Sequence, residues 1–220
     1  MQSYCGITNQ YEASLLYGFI CRSWAASSSL PGEQGSWLVS GGGDRHHSFN
    51  SVIVYNSSNS NGSYTNRWNA YNDLPIPLQD HCQISDGNNV FIIGGNNGNM
   101  ILSTVYILND GTWSVYHSLS IGRYYHVCVV MDGSGSNASY KPLDSVEILA
   151  PGGDGWVPGP ALPGPVYGGQ AGVYDDSIYV LGGENNKNIY RLDSGADHWV
   201  TEDAAFYYDR RSVFPAPLMF

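Results

Sequence analysis

The densest run of polar side chains in the sequence is Asp44-Arg45-His46-His47, directly after three consecutive glycines. A carboxylate beside two imidazoles could bind a metal ion or transfer protons. However, adjacent histidines on a strand point to opposite faces, and Arg45 disfavours a bound cation. We therefore interpret the cluster as an exposed loop and predict no metal site and no cofactor.

Other patterns that carry catalysis are absent from the sequence. It contains no G-x-S-x-G elbow, no Walker-type phosphate loop and no H-E-x-x-H zinc motif. Asp175 and Asp176 are adjacent carboxylates between two predicted strands, a position typical of a hairpin turn. We therefore predict no catalytic residue and a protein that is not an enzyme.

The composition favours short strands joined by turns. The 220 residues include 27 Gly, 17 Tyr and 6 Trp, and only 13% are charged, whereas long helices need more Ala, Glu, Lys and Arg. The formal net charge of −10 disfavours nucleic acid and anionic membranes as partners. The apolar stretch 15–21 is too short to span a bilayer, and we identify no signal peptide.

The cysteine spacing does not define a metal site, because it includes no C-x-x-C pair. We expect buried free thiols, with disulfides as the second interpretation; the four cysteines are Cys5, Cys21, Cys82 and Cys128. Glycosylation sequons at Asn56, Asn61 and Asn137 would matter in a secreted protein, but loops rich in Asn and Ser produce them by chance. Localisation stays open, with the cytoplasm slightly favoured over an extracellular location.

The same set of sequence elements recurs several times along the chain, and these elements must position any functional site. An apolar run ends in Gly-Gly, a Val/Tyr-rich run follows, and then comes a Trp with an apolar residue six positions later. The clearest copies are 90–95 with Tyr106 and Trp113, and 178–183 with Tyr190 and Trp199. The glycines permit a sharp turn and a close approach of another backbone segment. Each repeat then forms one small antiparallel sheet, which must stack on its neighbours because it cannot bury its faces alone. The Trp spacing also starts at Trp24, Trp68 and Trp156.

These residues resemble the kelch repeat, whose pattern is a diglycine, a downstream Tyr and then a Trp. The segment 122–126 (Gly-Arg-Tyr-Tyr-His) is also similar to the Arg-x-x-His element that opens many kelch units. The resemblance covers nearly the whole chain from about residue 20, and it implies an all-β, kelch-type β-propeller in a single domain. The approximate units are 1–31 (partial), 32–75, 76–119, 120–163, 164–205 and 206–220 (an opening strand).

Two units depart from the repeat. The diglycine expected near Gly133 is missing, and the segment between Pro31 and Gly42 is too short for a further strand. We therefore predict about five four-stranded blades, two of which lack a strand. Because residues 206–214 resemble an opening strand and 1–31 the later strands of a unit, the two termini are predicted to share one blade. The alternative is an open fragment of a six-bladed ring.

The resemblance implies a non-catalytic scaffold that binds a protein partner, as a substrate-recognition, cytoskeletal or adhesion module. The alternative is a galactose-oxidase-like copper oxidase propeller, which needs Tyr and His ligands and a Tyr–Cys crosslink. The loops before the opening strands occupy the same repeat position, so they should share one rim. We expect a monomer that binds its partner through this rim. The predicted contact residues are His81, Arg123, Tyr124, Tyr125, Tyr167, Tyr208 and Arg210.

Overall fold

A computed structural model describes residues 24–33, 35–44, 46–56, 59–60, 63–64, 67–131, 134–137 and 143–205. These residues form antiparallel strands and turns, and none of them is helical. Within the described ranges, therefore, no helix has the length and apolar character needed to cross a membrane. The strands group into four units, which we call blades 1 to 4 in chain order.

Each blade contains four principal strands. Blade 1 contains β1 (Ala26–Ser29), β2 (Trp37–Ser40), β3 (Val52–Asn56) and, after the short hairpin of β4 (Asn59–Ser60) and β5 (Ser63–Tyr64), β6 (Arg67–Tyr71). Blade 2 contains β7 (Cys82–Ser85), β8 (Val90–Ile93), β9 (Val105–Asn109) and β10 (Thr112–Val115). Blade 3 contains β11 (Cys128–Met131), β12 (Ser134–Asn137), β13 (Val146–Ile148) and β14 (Val157–Gly159). Blade 4 contains β15 (Gln170–Tyr174), β16 (Ser177–Leu181), β17 (Asn188–Asp193) and β18 (Val200–Ala205).

The blades are arranged around a common axis. The first strand of each blade lies beside the first strand of the next: β1 beside β7, β7 beside β11, and β11 beside β15. The first strands are therefore innermost, and the later strands of each blade lie farther out. This is the β-propeller arrangement that the repeats predict.

Alternation along the strands places apolar side chains between adjacent blades. On blade 1, Leu38, Val52 and Val54 are buried against Val90 and Ile92 of blade 2. The opposite face of blade 1, for which the described residues provide no neighbouring blade, carries three aromatic residues that are partly exposed. They are Trp37, Tyr55 and Trp68.

The repeated tryptophans join each blade to the one before it. The indole N–H of Trp113 donates to the carbonyl of Asn72, that of Trp156 to His117, and that of Trp199 to Pro160, at 2.8–2.9 Å. Each Trp therefore contributes both apolar surface and one hydrogen bond to a seam between blades. The four tryptophans of the repeat, Trp68, Trp113, Trp156 and Trp199, thus lie in or next to the last strand of each of the four blades.

The expectation that the unit containing Trp37 lacks its first strand is wrong. Residues Ala26–Ser29 form that strand and pair antiparallel with β2. The segment was overlooked because Ala and Ser are not typical strand residues, whereas a small inner strand suits the crowded axis. Trp24 lies two residues before β1 and is not part of a strand, so it does not begin the last strand of a unit.

The expectation that blade 3 lacks the strand ending in Gly-Gly is also wrong. Strand β12 occupies that place and pairs with β11 from Cys128↔Asn137 to Met131↔Ser134. Among the described residues, however, β12 lies beside β13 without a ladder of hydrogen bonds, so blade 3 consists of two two-stranded sheets. The predicted closure through residues 1–23 and 206–220 lies outside the described residues and stays a prediction.

The expectation of free thiols is wrong for the two described cysteines. Cys82 on β7 and Cys128 on β11 form a disulfide, with their Cα atoms 6.1 Å apart. The two residues are 46 positions apart in sequence, but adjacent inner strands bring them together. Spacing along the chain gave no signal for a bond between neighbouring blades. Cys5 and Cys21 lie outside the described residues.

Candidate functional site

The loops that lead into the inner strands are joined by a chain of backbone hydrogen bonds. The N–H of Asp80 donates to the carbonyl of Trp24, that of Tyr125 to Asp80, and that of Gly168 to Tyr125, at 2.9–3.0 Å. One residue from each blade thus forms part of a ring around the axis, at the start of β1, β7, β11 and β15. We call this end of the axis the channel mouth.

Each residue of this ring has a left-handed backbone. The φ angles are 61° at Trp24, 56° at Asp80, 53° at Tyr125 and 66° at Gly168. Non-glycine residues rarely adopt such angles, so the surrounding hydrogen bonds must hold three of them in place. Together with the hydrogen bonds that link these residues, the shared conformation shows that the described loops before β1, β7, β11 and β15 meet the axis in the same way.

The diglycines allow the next blade to pack directly on the backbone. A Cβ atom at Gly41 would lie 2.9 Å from the His81 imidazole, and one at Gly94 would lie 3.1 Å from the His126 imidazole. At Gly94 the same atom would also lie 2.5 Å from the Arg123 carbonyl oxygen. Glycine is therefore required by close approach as well as by the positive φ angles of 57° and 59°.

A buried polar network lies beneath the channel mouth. His81 Nε2 and the Ser40 hydroxyl are 2.8 Å apart, and the same hydroxyl donates to Gln83 Oε1. The amide nitrogen of Gln83 donates in turn to Ser28 Oγ and to the Leu38 carbonyl. These contacts join blade 2 to blade 1, so His81 stabilises the seam between them.

Arg123 forms a buried ion pair within blade 3. Its side chain is 0% exposed, and its guanidinium donates to Glu147 Oε1 and to the Ser145 carbonyl. Glu147 Oε2 also accepts from the backbone N–H of Ser120. Burial lowers the pKa of Arg123, while the charge and the hydrogen bond of Glu147 oppose that shift.

Asp80, His81 and His126 have strongly shifted pKa values because they are buried. Burial raises the pKa of Asp80 to about 7, although hydrogen bonds from the side chains of Tyr125 and Gln79 act in the opposite direction. Burial lowers the pKa of His81 to about 3. It does the same for His126, where the charges of Arg123 and His81 add to the effect. Both histidines are therefore neutral at physiological pH.

The structure separates the predicted contact residues into three groups. Tyr125 and Tyr167 are partly exposed at the channel mouth, with their ring centroids 5.0 Å apart. His81, Arg123 and Tyr124 are each less than a tenth exposed. Arg123 is predicted to contact a partner, but its side chain is completely buried in the ion pair with Glu147, so it is not available at the surface. Tyr208 and Arg210 lie outside the described residues.

The sequence places Asp80 in the loop before an opening strand, and the structure gives it the same ring position as Tyr125. The role of Glu147 was not identified from the sequence. Glu147 occupies the position in the third strand of its unit where other units have Tyr106 or Tyr190, and this difference is the sequence signal for a partner of Arg123. The sequence positions of Asp80 and Glu147 do not specify that these side chains are buried, because burial depends on how the blades pack.

Of the polar cluster after the triple glycine, the structure describes Asp44, His46 and His47, which lie outside the strands, whereas Arg45 lies outside the described residues. The carboxylate of Asp44 accepts hydrogen bonds from the backbone N–H groups of His46 and His47 at 2.7 Å. These bonds and the nearby imidazoles lower the pKa of Asp44. Across the part of the chain that the structure describes, no three His, Cys, Asp or Glu residues are grouped so that they could hold a metal ion.

Comparison with known proteins supports a kelch-repeat chain. No family model matches it. Over 186 residues it is 25% identical to the human Kelch repeat and BTB domain-containing protein 12, covering 68% of this chain and 30% of that protein. Over 130 residues it is 28% identical to the human Kelch-like protein 33, covering 54% of this chain and 24% of that protein. The chain thus spans less than a third of the length of the curated relatives it matches.

A solved structure supports the same fold. The structure of YjhT superposes with a TM-score of 0.72 and 17% sequence identity, over 88% of this chain and 74% of that one. At this identity the likeness concerns the fold alone. Together with the two curated relatives, it confirms the predicted kelch-type, all-β propeller.

Proposed function

From the premise that this chain is a kelch-repeat β-propeller, we propose that it is a non-catalytic scaffold that binds a protein partner at the channel mouth. The observation that carries the proposal is the ring of backbone hydrogen bonds, which brings the loops of different blades together. Rigid sheets that present clustered loops are a common basis for recognition.

Tyr125 and Tyr167 are the described side chains best suited to contact the partner. Both come from loops that enter inner strands, both are partly exposed, and they lie in ring contact. Tyrosine combines a large apolar ring with a polar hydroxyl, which suits protein interfaces. The hydrogen bond between the side chains of Asp80 and Tyr125 helps to fix one of the rings. From the sequence, Tyr208 and Arg210 are expected at the same rim.

The experiment is affinity capture from a cell lysate followed by quantitative mass spectrometry. The double variant Tyr125→Ala/Tyr167→Ala should lose most of the partner signal, because loss of a central tyrosine typically costs about 2 kcal/mol or more of binding. Thermal unfolding should show that the variant remains folded.

Tyr174→Ala is the matched control. Tyr174 is 54% exposed and also lies in ring contact with another tyrosine, Tyr179, but it is at the end of β15 that points away from the channel mouth. Its loss should leave capture unchanged. Capture that survives the double variant, or that falls equally with Tyr174→Ala, would refute the proposed surface.

A further inference from the structure

A cavity opens between blades 2 and 3, at the end of β7 away from the channel mouth. It measures about 170 Å³, and its walls include Phe91 and Tyr116 of blade 2 and Trp156 of blade 3. Protein cavities of about 150 Å³ can hold a molecule the size of benzene. This cavity is therefore large enough for one small organic group.

Three aromatic rings line the cavity. Phe91 and Tyr116 are in edge-to-face contact, with their ring centroids 5.7 Å apart. The indole of Trp156 is held across the seam by its hydrogen bond to the His117 carbonyl at 2.8 Å. All three side chains are only partly buried, so a ligand in the cavity can reach their surfaces.

The cavity carries a single charged residue, Asp86, and no Lys, Arg or His lines it. The Asp86 carboxylate accepts hydrogen bonds from the backbone N–H groups of Asn88 and Asn89 at 2.8 and 2.7 Å. These bonds hold the carboxylate in place beside the rings. The site thus combines aromatic surfaces with one fixed negative charge, which is complementary to a cation.

We propose that this cavity binds a trimethylammonium group. Aromatic faces attract a cation, and cages of aromatic residues are suited to quaternary ammonium ligands. A primary ammonium has three N–H donors that would each need an acceptor, whereas a trimethylammonium group has none. Most of the remaining wall is apolar, as at Ile107, Val130 and Leu149, which favours the methylated cation.

The seam between blades 1 and 2 shows what distinguishes this site. There the corresponding positions hold Leu38, Tyr71 and Trp113, and Leu38 is completely buried in a continuous apolar core. An aliphatic side chain fills that seam. In the seam between blades 2 and 3, Phe91 stands in place of the leucine and leaves an aromatic surface open to a ligand.

The test is calorimetric titration of the purified chain with choline and with its neutral isostere 3,3-dimethylbutan-1-ol. Choline should bind about tenfold more tightly, because both molecules fill the same volume and only one has a charge. Equal binding of the two compounds would show an apolar cavity without cation recognition and would overturn the proposal. No choline binding would overturn it as well.

Variants locate the site. Asp86→Asn keeps the oxygen that accepts the turn hydrogen bonds but removes the charge, and Phe91→Leu restores the residue type of the neighbouring seam. Each should weaken choline binding about fivefold to tenfold. Tyr179→Leu, on the far face of blade 4, is the control and should have no effect. Unchanged binding in both cavity variants would place choline elsewhere and refute the assignment.

A second titration identifies the source of the group. A peptide with one trimethyllysine should bind more tightly than its unmethylated form if the natural ligand is a modified protein. Choline binding without discrimination between the peptides supports a free small molecule. Because the cavity lies away from the channel mouth, Tyr125→Ala/Tyr167→Ala should leave choline binding intact, which separates this inference from the proposed function.

Discussion

In blade 2 an uninterrupted ladder of backbone hydrogen bonds joins β7, β8, β9 and β10, whereas in blade 3 the described strands pair as β11 with β12 and β13 with β14. The two blades also differ in the side chains that occupy equivalent positions. Leu78 and Arg123 are equivalent, since their carbonyls accept from Gly42 and Gly95, the second glycines of the two preceding diglycines. Leu78 is fully buried in an apolar cluster, and Arg123 is fully buried in an ion pair.

A second difference, in the third strands β9 and β13, corresponds to the first. Tyr106 follows Val105 in blade 2, and Glu147 follows Val146 in blade 3, so the carboxylate stands where a tyrosine would be expected. The two exchanges match each other, because Glu147 supplies the negative charge that pairs with the buried Arg123 guanidinium. The comparison teaches that one blade geometry accepts an apolar or an ionic interior, provided both partners change together. A disulfide further ties blade 3 to blade 2.

The largest expected effect comes from breaking the ion pair. Glu147→Ala should lower the free energy of unfolding by about 3–5 kcal/mol, because it leaves the Arg123 charge buried without its partner. Urea unfolding followed by tryptophan fluorescence measures the change. The double variant Arg123→Leu/Glu147→Tyr, which copies blade 2, should recover most of the loss. A double variant less stable than Glu147→Ala would contradict the equivalence of the two blades.

Removal of the disulfide should have the second-largest effect on the free energy of unfolding. Replacing Cys82 and Cys128 together by alanine should cost about 2–4 kcal/mol, because the bond closes a long loop in the unfolded chain. The same urea titration applies. Wild-type protein unfolded with a reductant should match the double variant, and equal stability with and without reductant would show that the bond does not support the fold.

The third effect concerns the pH dependence at the channel mouth. Burial raises the pKa of Asp80 to about 7, so the folded protein disfavours the ionised carboxylate. The free energy of unfolding should therefore fall as pH rises from about 4 to 7. The stability of Asp80→Asn relative to wild type should therefore increase between pH 4 and pH 7. Above pH 7 the difference in stability between the two proteins should stay constant. Melting temperatures of both proteins from pH 4 to 8 measure the difference.

His81 and His126 destabilise both proteins as pH falls below about 6.5, since their pKa values are lowered to about 3. This contribution cancels when the wild type and Asp80→Asn are compared at each pH. A stability difference that does not vary between pH 4 and 7 would show that the Asp80 carboxyl is not shifted by its surroundings.

Much of the fold could be predicted because its signals are local and repeated. Runs such as Val90–Ile93 before a diglycine, and tryptophans such as Trp113 at fixed spacing, indicate small sheets that must stack. The hairpin at Asp175 and Asp176 was also predicted correctly, and both residues have the positive φ angles of a tight turn. Strand β1 was missed because Ala and Ser give no such local signal.

The candidate site was predicted only in part. The repeat offset correctly placed the loops of His81, Tyr125 and Tyr167 at one end, because equivalent positions in a propeller share an end. It did not show that Arg123 is buried, because the burial of Arg123 depends on how blade 3 packs and on the ion pair with Glu147, which is 24 residues away in sequence.

The sequence by itself determined the β-rich architecture, the repeated units and the tryptophans that recur in them. The tertiary structure alone decided the disulfide, the ion pair of blade 3 and the cavity beside Trp156. The physical reason is that a repeat fixes a residue's place along its own strand, whereas these three features form between strands far apart in sequence. They depend on the distances that packing creates.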